Sequence, residues 1–269
     1  MRDSLEMALL RRMLPTAGAA GETLIVEDNE CPSFCYFIRS LEEAGFVFRR
    51  AGKEISVAGE PDSLVPEAIF ARLHGKTIGR DIVVLRETSS TNDRAKQAGI
   101  AGAAEGFAVF AERQTEGRGT YGRKWVSEAG QGLWFSVLLR SRLPPTELPR
   151  LVRLAAVASA EAIERLVGLG LSIKPPNDLV LQGGKLGGFI LETSSSWDFQ
   201  VLGIGINTRS APLLPGYPTA SIEDFSGPGI SRNILAAGIL DALEDWYFNK
   251  SPDQVEIAYQ SRTRPLAST

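Results

Sequence analysis

Apolar residues fall at helical spacing in two stretches near the start of the chain. Leu5, Leu9, Leu10, Met13 and Leu14 share one face, and Phe34, Phe37, Ile38 and Leu41 share another. A period near 3.6 predicts two amphipathic helices. The second runs from about Pro32 to Ala44 and stops at Gly45, a residue that ends helices readily. Phe46 to Arg50 and Glu54 to Val57 then read as two short strands joined around Gly52. Helices followed by a two-stranded wing predict a small winged helix-turn-helix-like domain over residues 1–60. Glu60-Pro61-Asp62 and a short helix over Pro66 to Leu73 form a linker across 61–79.

From residue 80 onward the pattern alternates. Asp81 to Leu85, Phe107 to Glu112, Gly132 to Leu139, Leu179 to Leu181, Phe189 to Leu191 and Gln200 to Ile206 are apolar runs of strand length. Asn92 to Ala98, Leu148 to Val167, Ser231 to Phe248 and Pro252 to Ser261 read as helices. Residues 208–229 are rich in Pro and Gly and read as a long surface loop. The fold class is α+β: a mixed β-sheet over residues 80–269 with helices packed on one face.

Charge and composition narrow the partners. The whole chain carries a net −3. Residues 1–60 hold seven Lys/Arg against ten Asp/Glu, again a net −3. Reading DNA requires a cationic face, and only Arg49, Arg50 and Lys53 in the wing supply one, so DNA is not the expected partner. No apolar run approaches the roughly 20 residues that span a bilayer, and Arg11-Arg12 directly follows Leu9-Leu10, unlike a secretory signal. The expectation is a cytoplasmic protein with no membrane partner. Cys31 and Cys35 are the only cysteines and His74 the only histidine. Two reduced, partly buried thiols and a surface histidine are therefore expected, not a zinc site.

Candidate chemistry concentrates in Glu112 to Trp125, which packs three glycines, three arginines and a lysine into fourteen residues. Such a loop offers free N–H groups and cations to an anion, or else forms a solvated basic hairpin. Ser90, Thr91 and Asn92 stand at a helix start, where they either cap the helix or face a polar ligand. Lys185 lies within Gln182-Gly183-Gly184-Lys185-Leu186-Gly187-Gly188, read as a hairpin whose tip presents the lysine. Gly203 and Gly205 leave one face of their strand bare, which lets a ligand approach the backbone.

Together these segments are more specific than any one of them. Ser-Ser-Thr-Asn at 89–92, Gln-Thr-Glu-Gly-Arg-Gly-Thr-Tyr-Gly-Arg-Lys-Trp at 114–125, Lys-Pro-Pro-Asn-Asp-Leu at 174–179, Gly-Lys-Leu-Gly-Gly-Phe-Ile-Leu-Glu at 184–192 and Gly-Ile-Gly-Ile-Asn at 203–207 resemble the biotin protein ligases in order and spacing. The arrangement is similar to the bifunctional ligase/repressors, with a weaker likeness over residues 1–60. The resemblance implies that ATP and Mg²⁺ activate biotin to biotinyl-5′-AMP. Biotin then passes to a lysine of a biotin carboxyl carrier protein, such as an acetyl-CoA carboxylase subunit. It implies catalytic roles for Arg118, Lys185 and Asp178. It places Ser90, Thr91, Gln114, Gly117, Arg118 and Trp125 against biotin, with Lys185, Gly188, Gly203 and Gly205. Arg118, Arg123, Asn177 and Asn207 would hold ATP, and Asp178 the Mg²⁺. A homodimer is compatible with the family. A lipoyl- or octanoyl-transferring relative and a biotin-responsive regulator without ligase activity remain as alternatives.

Three departures from the family stand out. The family commonly adds a small β-barrel after a motif that this chain reaches at Tyr259, and the sequence runs only to Thr269, so the expectation is a catalytic domain without it. Pro175 stands where tryptophan is usual, and Thr120 where the loop usually carries a second arginine. Losing that cation should weaken the hold on the adenylate. Thr120→Arg is expected to slow the release of biotinyl-5′-AMP by about tenfold, the scale of one hydrogen bond to a charged group. Equal off-rates for the two proteins would clear Thr120 of that role.

Overall fold

Ser4 is extended, and its hydroxyl accepts the Met7 N–H to start α1 (Leu5–Met13). The computed structural model describes residues 4–15, 20–25 and 32–263. Cys31 lies outside them, as do residue 1 of the first expected domain and residue 269 of the last. Cys35 is a free thiol, and it is exposed rather than partly buried as expected. After α1 come β1 (Leu24–Ile25), α2 (Pro32–Glu43), β2 (Val47–Ala51) and β3 (Glu54–Gly59). Gly45 and Gly52 have φ of 101° and 60°, the left-handed conformation that ends α2 and turns the β2–β3 hairpin. The three strands form an antiparallel sheet in the order β1-β3-β2. The two residues of β1 are too short to leave an alternation pattern in the sequence.

Met13, Leu24, Phe34, Ile38 and Ile55 form a core of this unit's own. Met7, Leu10, Leu14, Leu41 and Phe46 instead join the main hydrophobic core, so the unit buries one apolar side against the rest of the chain.

The main sheet has seven strands in the order β4-β5-β6-β10-β9-β8-β7. They are β4 (Ile82–Thr88), β5 (Ala108–Gln114), β6 (Gly132–Leu139), β7 (Ser172–Lys174), β8 (Asp178–Leu181), β9 (Gly184–Thr193) and β10 (Gln200–Asn207). β4 and β5 run parallel and every other pair is antiparallel. The helices are α3 (Pro66–Phe70), α4 (Thr91–Ile100), α5 (Pro149–Val167), α6 (Glu223–Ser226), α7 (Arg232–Phe248) and α8 (Pro252–Arg262). None of the described helices is long and apolar enough to cross a membrane.

Side chains alternate across a strand, and this sheet uses both faces. Phe110, Phe135, Leu202 and Ile204 share the main core with Ala155, Ala156, Leu235 and Leu240 of α5 and α7. Val109, Leu138 and Val201 form a second cluster with Ala95 of α4. The expectation of helices on one face is thus corrected. α4 closes the parallel β4–β5 connection, which needs a crossover of its own, and it covers the opposite face. Residues 208–229 also differ from a free surface loop. They include α6, and Ala220, Ser221 and Ile222 are buried.

Residues 61–79 are bonded along much of their length. Arg232, 2% exposed, donates to the carbonyls of Asp62 at 2.8 Å and Gly132 at 3.3 Å and pairs with Glu112 at 2.7 Å. Glu112 also accepts the Leu64 N–H at 2.6 Å. Asn233 bonds Val65 and Ser63. Asp241 accepts the N–H groups of His74 and Gly75, and Glu244 those of Lys76, Thr77 and Ile78. The exposed ring of His74 also meets Asp241. These carboxylates satisfy backbone donors that would otherwise be orphaned.

Removing one member of a buried pair strands its partner. Arg232→Ala is expected to lower the unfolding free energy in urea by about 3–5 kcal/mol. A loss below about 1 kcal/mol would be the behaviour of an exposed pair.

Candidate active site

The site lies on the face of the sheet that carries α4, over the middle of β6 and β10. Here the sheet residues are small: Ser136, Gly203 and Gly205. Gly203 and Gly205 line the cavity, and their bare face also admits neighbouring side chains. A Cβ on Gly203 would collide with Asn92 Oδ1, and one on Gly205 would lie 2.6 Å from the Trp125 ring. The glycines let Asn92 and Trp125 seat directly against the strand. Between these walls and the 112–125 loop is a cavity of about 230 Å³.

One wall is a hydrogen-bonded chain of side chains. Gln114 Oε1 accepts from the Thr91 N–H at 2.8 Å and the Thr91 hydroxyl at 3.1 Å. Its amide donates to Ser127 at 2.9 Å. Ser136 Oγ is 2.7 Å from Thr91 Oγ1 and 2.6 Å from Asn92 Oδ1. Asn92 donates to Glu192 at 3.0 Å. Ser90 occupies the N-cap position of α4, yet its side chain makes no capping bond. The helix start therefore serves the cavity more than it serves helix capping, and each buried polar group holds the next in place.

The cations Arg118, Arg123 and Lys185 line the same cavity. Arg118 binds Asp93 through two bonds, at 2.9 and 2.6 Å, and Glu192 at 3.2 Å. The Arg118 bond is the main reason that the Asp93 carboxyl sits below its ordinary range. The same bond leads the causes that raise Arg118 above its own ordinary value. Arg123 folds back onto Thr120, donating to its carbonyl and hydroxyl at 3.2 Å each. Tyr121 between them is a non-glycine residue at φ 58°, a conformation that costs energy.

Lys185 is not at the hairpin tip. The turn is Gln182-Gly183, at φ 47° and 82°, and Lys185 is the second residue of β9. A strap over residues 208–222 runs beside it: the Lys185 N–H donates to the Pro218 carbonyl and its own carbonyl accepts from Ala220. The ammonium lies 2.6 Å from Asp178 Oδ1 and 5.2 Å from the centre of the Trp125 ring. Asp178 Oδ2 accepts the Tyr217 hydroxyl at 2.7 Å. Burial first, then this bond, pushes the Tyr217 phenol up to about 12. Asn177 donates to the Phe189 carbonyl at 2.8 Å. Asn207 donates to the Lys185 and Ala220 carbonyls, which leaves its Oδ1 buried without a donor.

Residues 84–208 match the Biotin/lipoate A/B protein ligase family. Over 222 residues the chain is 34% identical to the bifunctional ligase/repressor BirA of Bacillus subtilis, covering 78% of this chain and 67% of that protein. It is 31% identical to the biotin--[acetyl-CoA-carboxylase] ligase of Mycobacterium tuberculosis, over 77% of this chain and 82% of that one. The chain belongs to the biotin protein ligase family.

Its structure is similar to the biotin protein ligase of Aquifex aeolicus in complex with biotin and ATP. The TM-score is 0.60 at 29% identity, over 68% of this chain and 78% of that one. The Leishmania major ligase in complex with biotinyl-5-AMP gives a TM-score of 0.61 at 26% identity, over 70% and 86%.

Of the residues expected from this family's motifs, Ser90, Thr91, Gln114, Arg118, Arg123 and Trp125 line the one cavity. So do Asn177, Lys185, Gly188, Gly203, Gly205 and Asn207. Gly117 and Asp178 do not. Gly117 is buried behind the wall, where its carbonyl accepts the Trp125 N–H and a Cβ would strike the Trp125 carbonyl. Asp178 meets the cavity through Lys185 and Tyr217, which line it. The ligase site also contains groups that sequence reasoning missed: Asp93, Ser127, Ser136, Glu192 and Tyr217. Glu192 closes the Gly-Lys-Leu-Gly-Gly motif and was in plain view. Nothing in the Pro-rich segment singles out Tyr217.

Proposed function

We infer that the protein is an ATP-dependent biotin protein ligase, forming biotinyl-5′-AMP and passing biotin to a lysine of a biotin carboxyl carrier protein. One observation carries the assignment of roles. Arg118 and Lys185 line the same cavity as the neutral polar wall of Thr91 and Gln114. The wall suits the uncharged ureido end of biotin, and the cations suit a carboxylate and a phosphate.

In the first step the biotin carboxylate attacks the α-phosphorus of ATP, a P–O bond forms, and pyrophosphate leaves with the electron pair of the broken bond. Both reactants are anions, so fixed positive charge must offset their repulsion. Lys185 sits between Trp125 and Asp178, where it can span the carboxylate and the α-phosphate. Arg118 and Arg123 would stabilise phosphate oxygens. In the second step the acceptor amine attacks the acyl carbon and AMP leaves. Asp178 keeps Lys185 oriented in both.

Mg²⁺ fits this wall only as a companion of the nucleotide. Among the described residues no three His, Cys, Asp or Glu cluster to hold a metal. Asp178 and the unmet Asn207 Oδ1 are the hard oxygen donors there, and Mg²⁺ commonly takes one or two carboxylates plus phosphates. Bound so, it would neutralise phosphate charge. In this reading residues 80–269 are the catalytic domain and residues 1–60 a winged-helix-like appendage joined by 61–79.

Purified protein is expected to label a carrier domain with biotin only when ATP is present. Lys185→Ala should reduce the rate by roughly 100-fold or more, the scale of losing one fixed charge-stabilising group. Labelling that ignores ATP, or that survives Lys185→Ala unchanged, would overturn the assignment.

A further inference from the structure

We propose that Tyr217 is a positioning residue of the ligation reaction: its hydroxyl fixes Asp178 so that Asp178 in turn aims the Lys185 ammonium into the cavity. The proposal rests on the ligase reading and adds to it a group outside the matched motifs.

A carboxylate rotates easily about its Cβ–Cγ bond unless both oxygens are engaged. Asp178 has one donor on each. Lys185 Nζ is 2.6 Å from Oδ1, and the Tyr217 hydroxyl donates to Oδ2 at 2.7 Å. The Asp178 and Lys185 side chains are 12% and 18% exposed, so water is poorly placed to replace a lost donor. The Tyr217 ring also lies near two cations, with Lys174 Nζ 5.0 Å and Lys185 Nζ 5.9 Å from its centre. Its π face favours both positions.

The same few residues hold the lysine backbone. Thr219 bridges Lys185, Pro218 accepts its N–H, and Ala220 donates to its carbonyl. Four consecutive strap residues thus set the lysine's backbone and, through Tyr217, its side-chain partner. Pro212, Leu214, Tyr217 and Thr219 line the cavity as well, so an occupant that seats the strap also seats Lys185.

The test compares wild type, Tyr217→Phe, Asp178→Asn and the double variant, all as the full chain. Biotin affinity is read by titration calorimetry, and biotinyl-5′-AMP formation by pyrophosphate release. Tyr217→Phe is expected to lower kcat for adenylate formation roughly tenfold, the scale of a hydrogen bond to a charged group. Biotin affinity should stay within about twofold, because the phenol acts at the reacting end and not on uniform binding. The double variant should be no slower than Asp178→Asn, since Tyr217 acts through Asp178 and their effects do not add.

An unchanged kcat in Tyr217→Phe would overturn the proposal. So would a loss confined to biotin affinity, or losses that multiply in the double variant. Should Tyr217→Phe fail to fold, Tyr217→Met takes its place, since it also removes the donor to Asp178, and an unchanged kcat would overturn the proposal equally. A wild-type protein that forms no biotinyl-5′-AMP would instead sink the ligase reading, and the proposal with it.

Discussion

Biotin's carboxylate and the α-phosphate of ATP repel one another, so positive charge has to be in position before they meet. A free lysine or arginine over an apolar cavity would be costly to desolvate and loose in direction. Here each is held by groups of the protein itself. Arg118 rests on Asp93 and Glu192, Lys185 on Asp178, and Arg123 on Thr120. The cost of ordering the cations is met largely in folding, which is the condition for electrostatic catalysis. The carboxylates also set a threshold, because a ligand must offer Arg118 a better partner than Asp93 does.

The fold supplies what this arrangement needs. Alternation along β6 and β10 sends large side chains toward α5 and α7, and on the face of α4 it leaves small residues at Ser136, Gly203 and Gly205. The cavity is the space those small residues clear. α4 brings Thr91, Asn92 and Asp93 to its edge, and the 112–125 loop closes the other side with Arg118 and Trp125. The strap completes the enclosure at Lys185. Farther away, Arg232 ties residues 61–65 to β5 and β6 through Glu112 and Gly132. The segment that follows the N-terminal unit is therefore joined to the two strands that border the 112–125 loop.

Much of this could be read from the residues in order. Strands such as Gly132 to Leu139 are continuous apolar runs and helices such as Ser231 to Phe248 are long apolar stretches behind a capping serine, and the structure places them at the expected positions. Local motifs also named most of the cavity wall. Three kinds of feature were not legible. The position of Lys185 depended on which of several glycines forms the turn, and an apolar pattern broken by four glycines does not decide that. The opposite placement of α4 follows from β4 and β5 being parallel, and strand direction leaves no local mark. Glu192 meets Arg118 across 74 residues of sequence, and Tyr217 meets Asp178 across 39. Contacts of that kind are made by topology, and a single chain read by pattern does not contain them.

The central claim is that cations now resting on carboxylates turn to serve the acid and the nucleotide. A crystal structure with biotinyl-5′-AMP tests it directly. The account predicts that the Arg118 guanidinium leaves Asp93 for the adenylate phosphate. It also predicts that Lys185, still in contact with Asp178, lies within hydrogen-bond distance of both the acyl and phosphate oxygens. A bound adenylate with Arg118 still on Asp93 and Lys185 turned away from the ligand would contradict it.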